Sequence, residues 1–252
     1  RTSNPFTLKL GDNVSIAWDL YLANTSADWS VSDVLDAMVV AGGTKPRTCK
    51  PIAGRVEVCS EKYGNNGWLG VAQVWISGSH ITQGTVKVND TYFNSNKYNT
   101  FAWRNLVMCQ EVGHTLGLDH QDETFDNANL GTCMDYTNDP DGTIYGQLSN
   151  EQPNQHDYDE LDIIYSHLDS TTTVGSMVSS GPGKGKFPAT PNNTDSDAPI
   201  QLGTAQWGKL IRSTNSGRTE LFELDLGGGH KLLTRVIWAD PEEQTGPQQG
   251  RR

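Results

Sequence analysis

The feature that most constrains this chain is an E-x-x-H-x-x-G-x-x-H pattern that begins at Glu111. On a helix, Gln110 and His114 lie one turn apart on the same face. Glu111 lies beside that face, where it could polarise a water bound to a metal. Gly117 can adopt a left-handed conformation, which ends the helix and lets the chain return His120 to the same metal.

A second pattern follows at residues 131–136, which read G-T-C-M-D-Y. Met134 lies fourteen residues after the last histidine of the first pattern, and Tyr136 lies two residues further on. The two patterns together resemble the metzincin clan of zinc metallopeptidases, whose signature is H-E-x-x-H-x-x-G-x-x-H followed by a Met-turn. The resemblance covers residues 1–168 in layout and residues 110–136 in specific motif. Two linked motifs in the right order are far more specific than E-x-x-H alone.

The resemblance implies a Zn²⁺ site with His114 and His120 as ligands. It also implies that Glu111 is the general base, which activates the metal-bound water and later protonates the leaving amine. By the same resemblance, Tyr136 either binds the metal in the resting state or stabilises the oxyanion, and Met134 packs beneath the site. The expected activity is therefore that of a secreted zinc endopeptidase.

The departure from the motif is Gln110, which stands where the family has its first histidine ligand. Its amide oxygen is neutral, like imidazole, but is a poorer donor to zinc. We expect Gln110 to be the third metal ligand, with Asp119 or a water as the alternative. Two other functions stay open: a catalytically inactive metzincin-fold binding protein with a degraded metal site, and a structural domain that only binds metal. The retained motif positions favour the active peptidase.

The four cysteines lie at positions 49, 59, 109 and 133. The spacing of Cys49 and Cys59 suits a disulfide across a hairpin or small loop. A bridge from Cys109 to Cys133 would tie the motif helix to the Met-turn. The alternative is four buried free thiols, but the likeness to secreted peptidases favours two disulfides and an oxidising compartment. Because no signal peptide precedes residue 1, we expect either a mature form or a shortened chain.

The predicted fold class is α+β, in which a twisted mixed sheet, an active-site helix, a Met-turn and a C-terminal helix form a metzincin-like catalytic domain over residues 1–168. Residues 169–204 are rich in Ser, Thr, Gly, Pro and Asn, which is typical of a linker. Residues 205–252 are expected to hold a small β-meander extension and a tail, with Asn215-Ser216-Gly217 and Gly227-Gly228-Gly229 as turns.

Within the first domain, the alternation of Val14, Ile16, Trp18, Leu20 and Leu22 predicts that residues 6–22 form a strand with one buried face. Ser30 or Ser32 is expected to cap a helix that runs through Val39. Residues 70–72 are expected to lie on an edge strand that would pair with an extended substrate, because an unpaired edge offers backbone N–H and C=O groups to any peptide. An ordinary interior sheet strand is the alternative.

The net charge is -11, and residues 105–168 contain 13 Asp and Glu but no Lys or Arg. Such a field repels nucleic acid and attracts cationic peptides, although a simple solvated acidic surface explains it as well. No apolar run approaches the ~18 residues that a membrane helix needs. We therefore expect a monomer that acts on a peptide or protein substrate and binds neither nucleic acid nor membrane.

Overall fold

The protein is an α+β chain, seen here in a computed structural model that describes residues 1–125, 127–175, 206–214 and 217–240. In chain order the elements are β1 (Phe6–Asn13), α1 (Asp19–Trp29), β2 (Leu35–Ala41), β3 (Val56–Glu61), β4 (Trp68–Ser77), β5 (His80–Asn89), α2 (Asp90–Phe93), α3 (Phe101–Thr115), α4 (Gln155–Ile164), β6 (Lys209–Thr214), β7 (Thr219–Gly227) and β8 (His230–Trp238). No helix in the described part of the chain is long and apolar enough to span a membrane.

All eight strands belong to one mixed sheet in the order β2-β1-β3-β5-β4-β8-β7-β6. The strands β2, β1, β3 and β5 run parallel, whereas β4 is antiparallel to both β5 and β8. Helix α3 packs against β4 and β5, and α1 packs against α3. The main core lies between the sheet and these helices. The expected mixed sheet with a long helix packed on it is therefore confirmed.

Two sequence predictions near the N-terminus are wrong. The strand expected within residues 6–22 ends at Asn13, and α1 begins at Asp19. Trp18 and Leu22 are buried while Ile16 is 89% exposed, so the apparent alternation was the four-residue spacing of a helix face. The helix expected after residue 30 is instead strand β2, which pairs with β1 at the edge of the sheet.

Helix α3 carries the first motif and is the best-defined element of the site. The hydroxyl of Thr100 accepts a hydrogen bond from the backbone N–H of Trp103 and so caps its first turn. The helix ends at Thr115, and Gly117 follows with φ of +99°, as the sequence predicted. Only glycine adopts this conformation without strain, so it fixes the direction in which the chain leaves the helix.

Both expected cysteine pairs lie at disulfide distance, with Cα–Cα separations of 6.0 Å. Cys49–Cys59 joins the segment before β3 to β3 itself. Cys109–Cys133 joins α3 to the Met-turn, one residue before Gln110 and one residue before Met134. This second bridge holds the two motifs of the sequence against each other.

The last three strands extend the sheet instead of standing apart from it. The predicted meander is present, and β8 pairs antiparallel with β4 from Trp68 to Ser77. The prediction of a free edge at residues 70–72 is therefore wrong, because these residues pair with Arg235, Val236 and Ile237. Hydrophobic periodicity identified each of these three strands but carried no information on which strands become neighbours in the sheet. Most of the predicted linker (176–204), two residues of the predicted turn (Asn215 and Ser216) and the predicted tail from 241 lie outside the described residues.

Candidate metal centre

The predicted ligands meet where α3 ends and the following loop returns. Gln110 and His114 lie one turn apart on α3, and both are buried. The chain then turns at Gly117 and brings the ring of His120 to 4.5 Å from that of His114, measured between ring centroids. The geometry that the glycine allows therefore places the two histidines in contact.

Gln110 is held in one orientation by its own amide. Its Nε2 donates a hydrogen bond of 2.9 Å to the backbone carbonyl of Cys133. Its Oε1 is buried and has no hydrogen-bond partner among the described residues. A buried acceptor without a partner costs free energy, so this oxygen is suited to a ligand that offers positive charge. The disulfide and this hydrogen bond both fix Gln110 to the Met-turn.

Each of the two histidines offers an imidazole ring nitrogen as a possible ligand atom. The Nδ1 of His114 donates to the backbone carbonyl of Leu118 at 3.0 Å, which leaves Nε2 as the nitrogen that carries a lone pair. His120 is buried, and neither of its ring nitrogens has a hydrogen bond within the described part of the chain. The Nδ1 of His120 lies 3.4 Å from Glu123 Oε1, but without hydrogen-bond geometry.

Burial also sets the charge of these rings. Desolvation holds the pKa of His114 well below its usual value, and the neighbouring His120 adds to this effect. Desolvation likewise lowers the pKa of His120, assisted by the positive charge of Arg235. Both imidazoles are therefore neutral at pH 7, which is the form that binds a metal.

Glu111 is buried between α3 and strand β4. A Cβ atom placed on Gly70 of β4 would lie 2.4 Å from Glu111 Oε1, so only glycine leaves room for the carboxylate. Burial raises the pKa of Glu111 well above its usual value, and the charge of Arg235 opposes this rise. The Oε2 atom has no hydrogen-bond partner among residues whose placement is described. The expected general base thus lies against β4, within reach of the charge of Arg235 on β8.

Residues 131–136, the predicted Met-turn, lie directly against α3 and His120. A Cβ on Gly113 would come within 2.6 Å of the sulfur of Met134, so Met134 packs closely beneath α3 as expected. The ring of Tyr136 lies 4.2 Å from that of His120, between centroids. Burial raises the pKa of Tyr136 well above its usual value, while a hydrogen bond with the side chain of Thr219 opposes this rise.

Asp119, the alternative ligand, has other partners. Its Oδ1 accepts hydrogen bonds from Arg235 at 2.7 Å and from Arg212. Burial alone would raise its pKa, but the hydrogen bond from Arg212 and the charge of Arg235 hold the pKa well below its usual value. Asp119, His120 and Glu123 nevertheless lie close enough together for one ion.

Sequence reasoning missed the arginines of the last strands. Arg235 of β8 reaches Asp119, and together with His114 it lines a cavity of about 650 Å³. The signal for such cations was the excess of Asp and Glu in residues 105–168, which contain no Lys or Arg of their own. Sequence reasoning also missed a surface group to which it assigned no role. In this group His80 and His167 lie 3.0 and 3.6 Å from Asp169 Oδ1.

Comparison with protein-family models and with curated proteins finds no match for this chain.

Proposed function

We propose that the chain is a secreted zinc endopeptidase that hydrolyses peptide bonds with Glu111 as general base. One observation carries the proposal: Gln110, His114 and His120 each present an acceptor atom that no hydrogen bond occupies in the described structure, and those of Gln110 and His120 are buried. Three such atoms, offered by residues at motif spacing, fit a cation better than they fit a packed protein interior.

The donor set also suits zinc in particular. Zinc is bound by neutral imidazole nitrogens and by oxygens, and a catalytic site keeps three protein ligands with one position open. His114 and His120 would supply the nitrogens, and Gln110 would supply its amide oxygen. A zinc ion held in this way lowers the pKa of a water and polarises the carbonyl to be cleaved.

The remaining steps belong to the chain's own residues. Glu111 is an acceptor buried beside β4, and the rise of its pKa brings it toward the range in which a general base can take a proton and return it to the leaving amine. Tyr136, in contact with His120, supports the site from the Met-turn side and is placed to donate to a developing oxyanion. The two disulfides support an oxidising, extracellular compartment.

A second candidate is a catalytically inactive binding protein that keeps this fold. Two observations favour it: Gln110 replaces the family's first histidine, and β8 already pairs with β4 where an extended peptide would lie. Peptide hydrolysis in the presence of zinc separates the two functions.

The test is zinc affinity against a competing chelator for the wild type, Gln110→His and Gln110→Ala, read alongside peptide hydrolysis. We expect Gln110→His to hold zinc more tightly because imidazole is the better donor. Gln110→Ala is expected to hold it more weakly, because only two motif ligands remain. Gln155→Ala, at an exposed glutamine of α4, is the matched control and should bind zinc like the wild type.

Equal zinc affinity of the wild type and Gln110→Ala would remove Gln110 from the ligand set. Zinc binding by Gln110→His alone would identify the natural protein as the non-catalytic form. Across the variants, the rate of peptide hydrolysis should follow the occupancy of the site by zinc. At saturating zinc the Gln110→His variant need not be faster than the wild type, since a stronger donor makes the metal less electrophilic.

A further inference from the structure

The edge of β4 beside the candidate site is covered by the chain's own strand β8. The pairing is antiparallel and continues along β4 through the register pairs Gly70↔Ile237, Val71↔Val236 and Ala72↔Arg235. Gly70 is also the residue against which Glu111 packs. An extended peptide that used this edge would form the same backbone hydrogen bonds with β4 that β8 forms.

The side chains of the last strands also cover the site. Arg235 and Arg212 both donate to Asp119, which adjoins His120. Thr219 of β7 lies close enough to Tyr136 to lower the pKa of its hydroxyl. Each of the three strands therefore contacts a residue of the site or its immediate neighbour.

A fourth contact lies in the turn before β7. The guanidinium of Arg218 lies 3.8 Å from the centroid of the Phe125 ring and donates to Asn138 at 3.1 Å. Residues 105–168 hold 13 acids and no Lys or Arg, so they depend on other parts of the chain for cations. Arg212 and Arg235 supply them at Asp119 and Glu123. The acidic charge beside His120, which would attract a basic peptide, is thus met from within the chain.

An apolar cluster holds the strands in place on the other side of the sheet. Trp207, Phe222 and Val236 pack there against Trp68 and Val71. Because side chains alternate along a strand, Val236 faces this cluster while Arg235 and Ile237 face the helix side. One strand therefore both anchors the segment and presents an arginine to the site.

We propose that β6–β8 act as an intramolecular inhibitory segment, in which β8 occupies the place of the substrate and Arg235 takes the place of a basic substrate side chain. The inference rests on the proposed peptidase function and adds a substrate class: extended peptides with basic residues. Hydrolysis then requires β8 to leave the edge of β4.

The test locks β8 onto β4 in the full-length chain. Gln73 and Thr234 are register partners whose side chains are 3.1 Å apart, on the face that carries Val71, away from the site. The variant Gln73→Cys with Thr234→Cys should form a disulfide between the two strands. The matched control, Leu224→Cys with Leu232→Cys, joins β8 to β7 and leaves the contact with β4 unlinked.

The substrate is an internally quenched, arginine-containing peptide added to the zinc-loaded protein. We expect the oxidised β4–β8 variant to hydrolyse it at least tenfold more slowly than the same variant after mild reduction. The β7–β8 control and the wild type should show no such difference under the same reductant. Equal rates of the locked and reduced forms, in a protein that does hydrolyse the peptide, would overturn the inhibitory role and leave the peptidase function standing.

Hydrogen exchange of the zinc-free protein gives a readout that does not depend on activity. The peptide should speed exchange of the β8 amides in the wild type and in the β7–β8 control, but not in the locked variant. If this occurs while no form hydrolyses the peptide, the peptidase function fails and the occupied binding edge survives. Unchanged exchange in every form would overturn the competition between β8 and a peptide.

A milder variant tests the charge contact. Arg212→Ala removes one of the donors to Asp119, and the lost ion pair is partly exposed. Loss of such a pair should change the equilibrium between docked and released β6–β8 by up to about fivefold. The hydrolysis rate should rise by up to that factor, because the inhibitory segment is held less firmly. Lys209→Ala, at the exposed start of the same strand, should leave the rate unchanged. An equal response of both variants would remove the specific role of Arg212.

Discussion

The close packing of Gly70 against Glu111 makes the variant Gly70→Ala a direct probe of the general base. The added Cβ would lie 2.4 Å from Oε1 and 2.8 Å from Cδ of Glu111, whereas ordinary contact begins at 3.4 Å. The carboxylate must therefore move by about 1 Å, as the difference between these distances requires. The carboxylate is the end of a flexible side chain, whereas β4 is paired with β5 on one side and β8 on the other, so the base moves and the strand does not.

A displacement of about 1 Å in a catalytic group can lower the rate about 10²-fold, which corresponds to about 2.7 kcal/mol of activation free energy. We expect kcat/KM for a peptide substrate to fall by that order in Gly70→Ala. Zinc affinity should remain that of the wild type, because the three heavy atoms nearest to the new methyl group all belong to Glu111. Overpacking should lower the free energy of unfolding by about 1–3 kcal/mol.

The matched control is Gly84→Ala on the neighbouring strand β5. Its added Cβ would lie 3.2 Å from Val56 and 3.3 Å from Thr115, so adjustments of a few tenths of an ångström suffice and Glu111 is not touched. This control should keep its turnover. If Gly70→Ala hydrolyses peptide as fast as Gly84→Ala does, the position of Glu111 beside β4 does not matter for catalysis.

Three further predictions concern the same site. Glu111→Gln should keep zinc but lose about 10²–10⁴-fold in turnover, because the amide cannot accept a proton; an unchanged rate in a peptide assay would assign that role to another group. Without metal, the free energy of unfolding should fall as the pH drops below 6.5, since the lowered pKa values of His114 and His120 make the unfolded chain bind protons first. Glu111, whose pKa is raised, binds its proton in the folded state and offsets one of these, so Glu111→Gln should steepen this pH dependence above pH 4.5 in urea unfolding experiments. Replacing Cys109 and Cys133 by Ser should lower stability by about 3 kcal/mol and weaken zinc binding, and unchanged zinc affinity in a chelator competition would show that the bridge does not position Gln110.

Local patterns along the chain were sufficient for the elements near the motif. The capped start of α3, the left-handed Gly117 and the meander strands all follow from short-range rules of backbone geometry. The same rules failed at Trp18 and Leu22. Two buried residues four positions apart share one face of a helix, but they also share one face of a strand.

The sequence by itself determined which residues can form the candidate metal centre and which cysteines pair near it. Spacing on a helix is a local property, and it places Gln110, Glu111 and His114 before any tertiary contact forms. Only the tertiary structure decided that Gln110 is oriented by the carbonyl of Cys133 and that Glu111 lies against Gly70.

The tertiary structure also decided that β8 covers β4 and brings Arg235 to the site, across more than a hundred residues of chain. Strand periodicity specifies which side chains share a face, but it does not specify the neighbouring strand. That choice depends on backbone hydrogen bonds, which every sequence offers alike, and on packing such as that of Val236 against Val71.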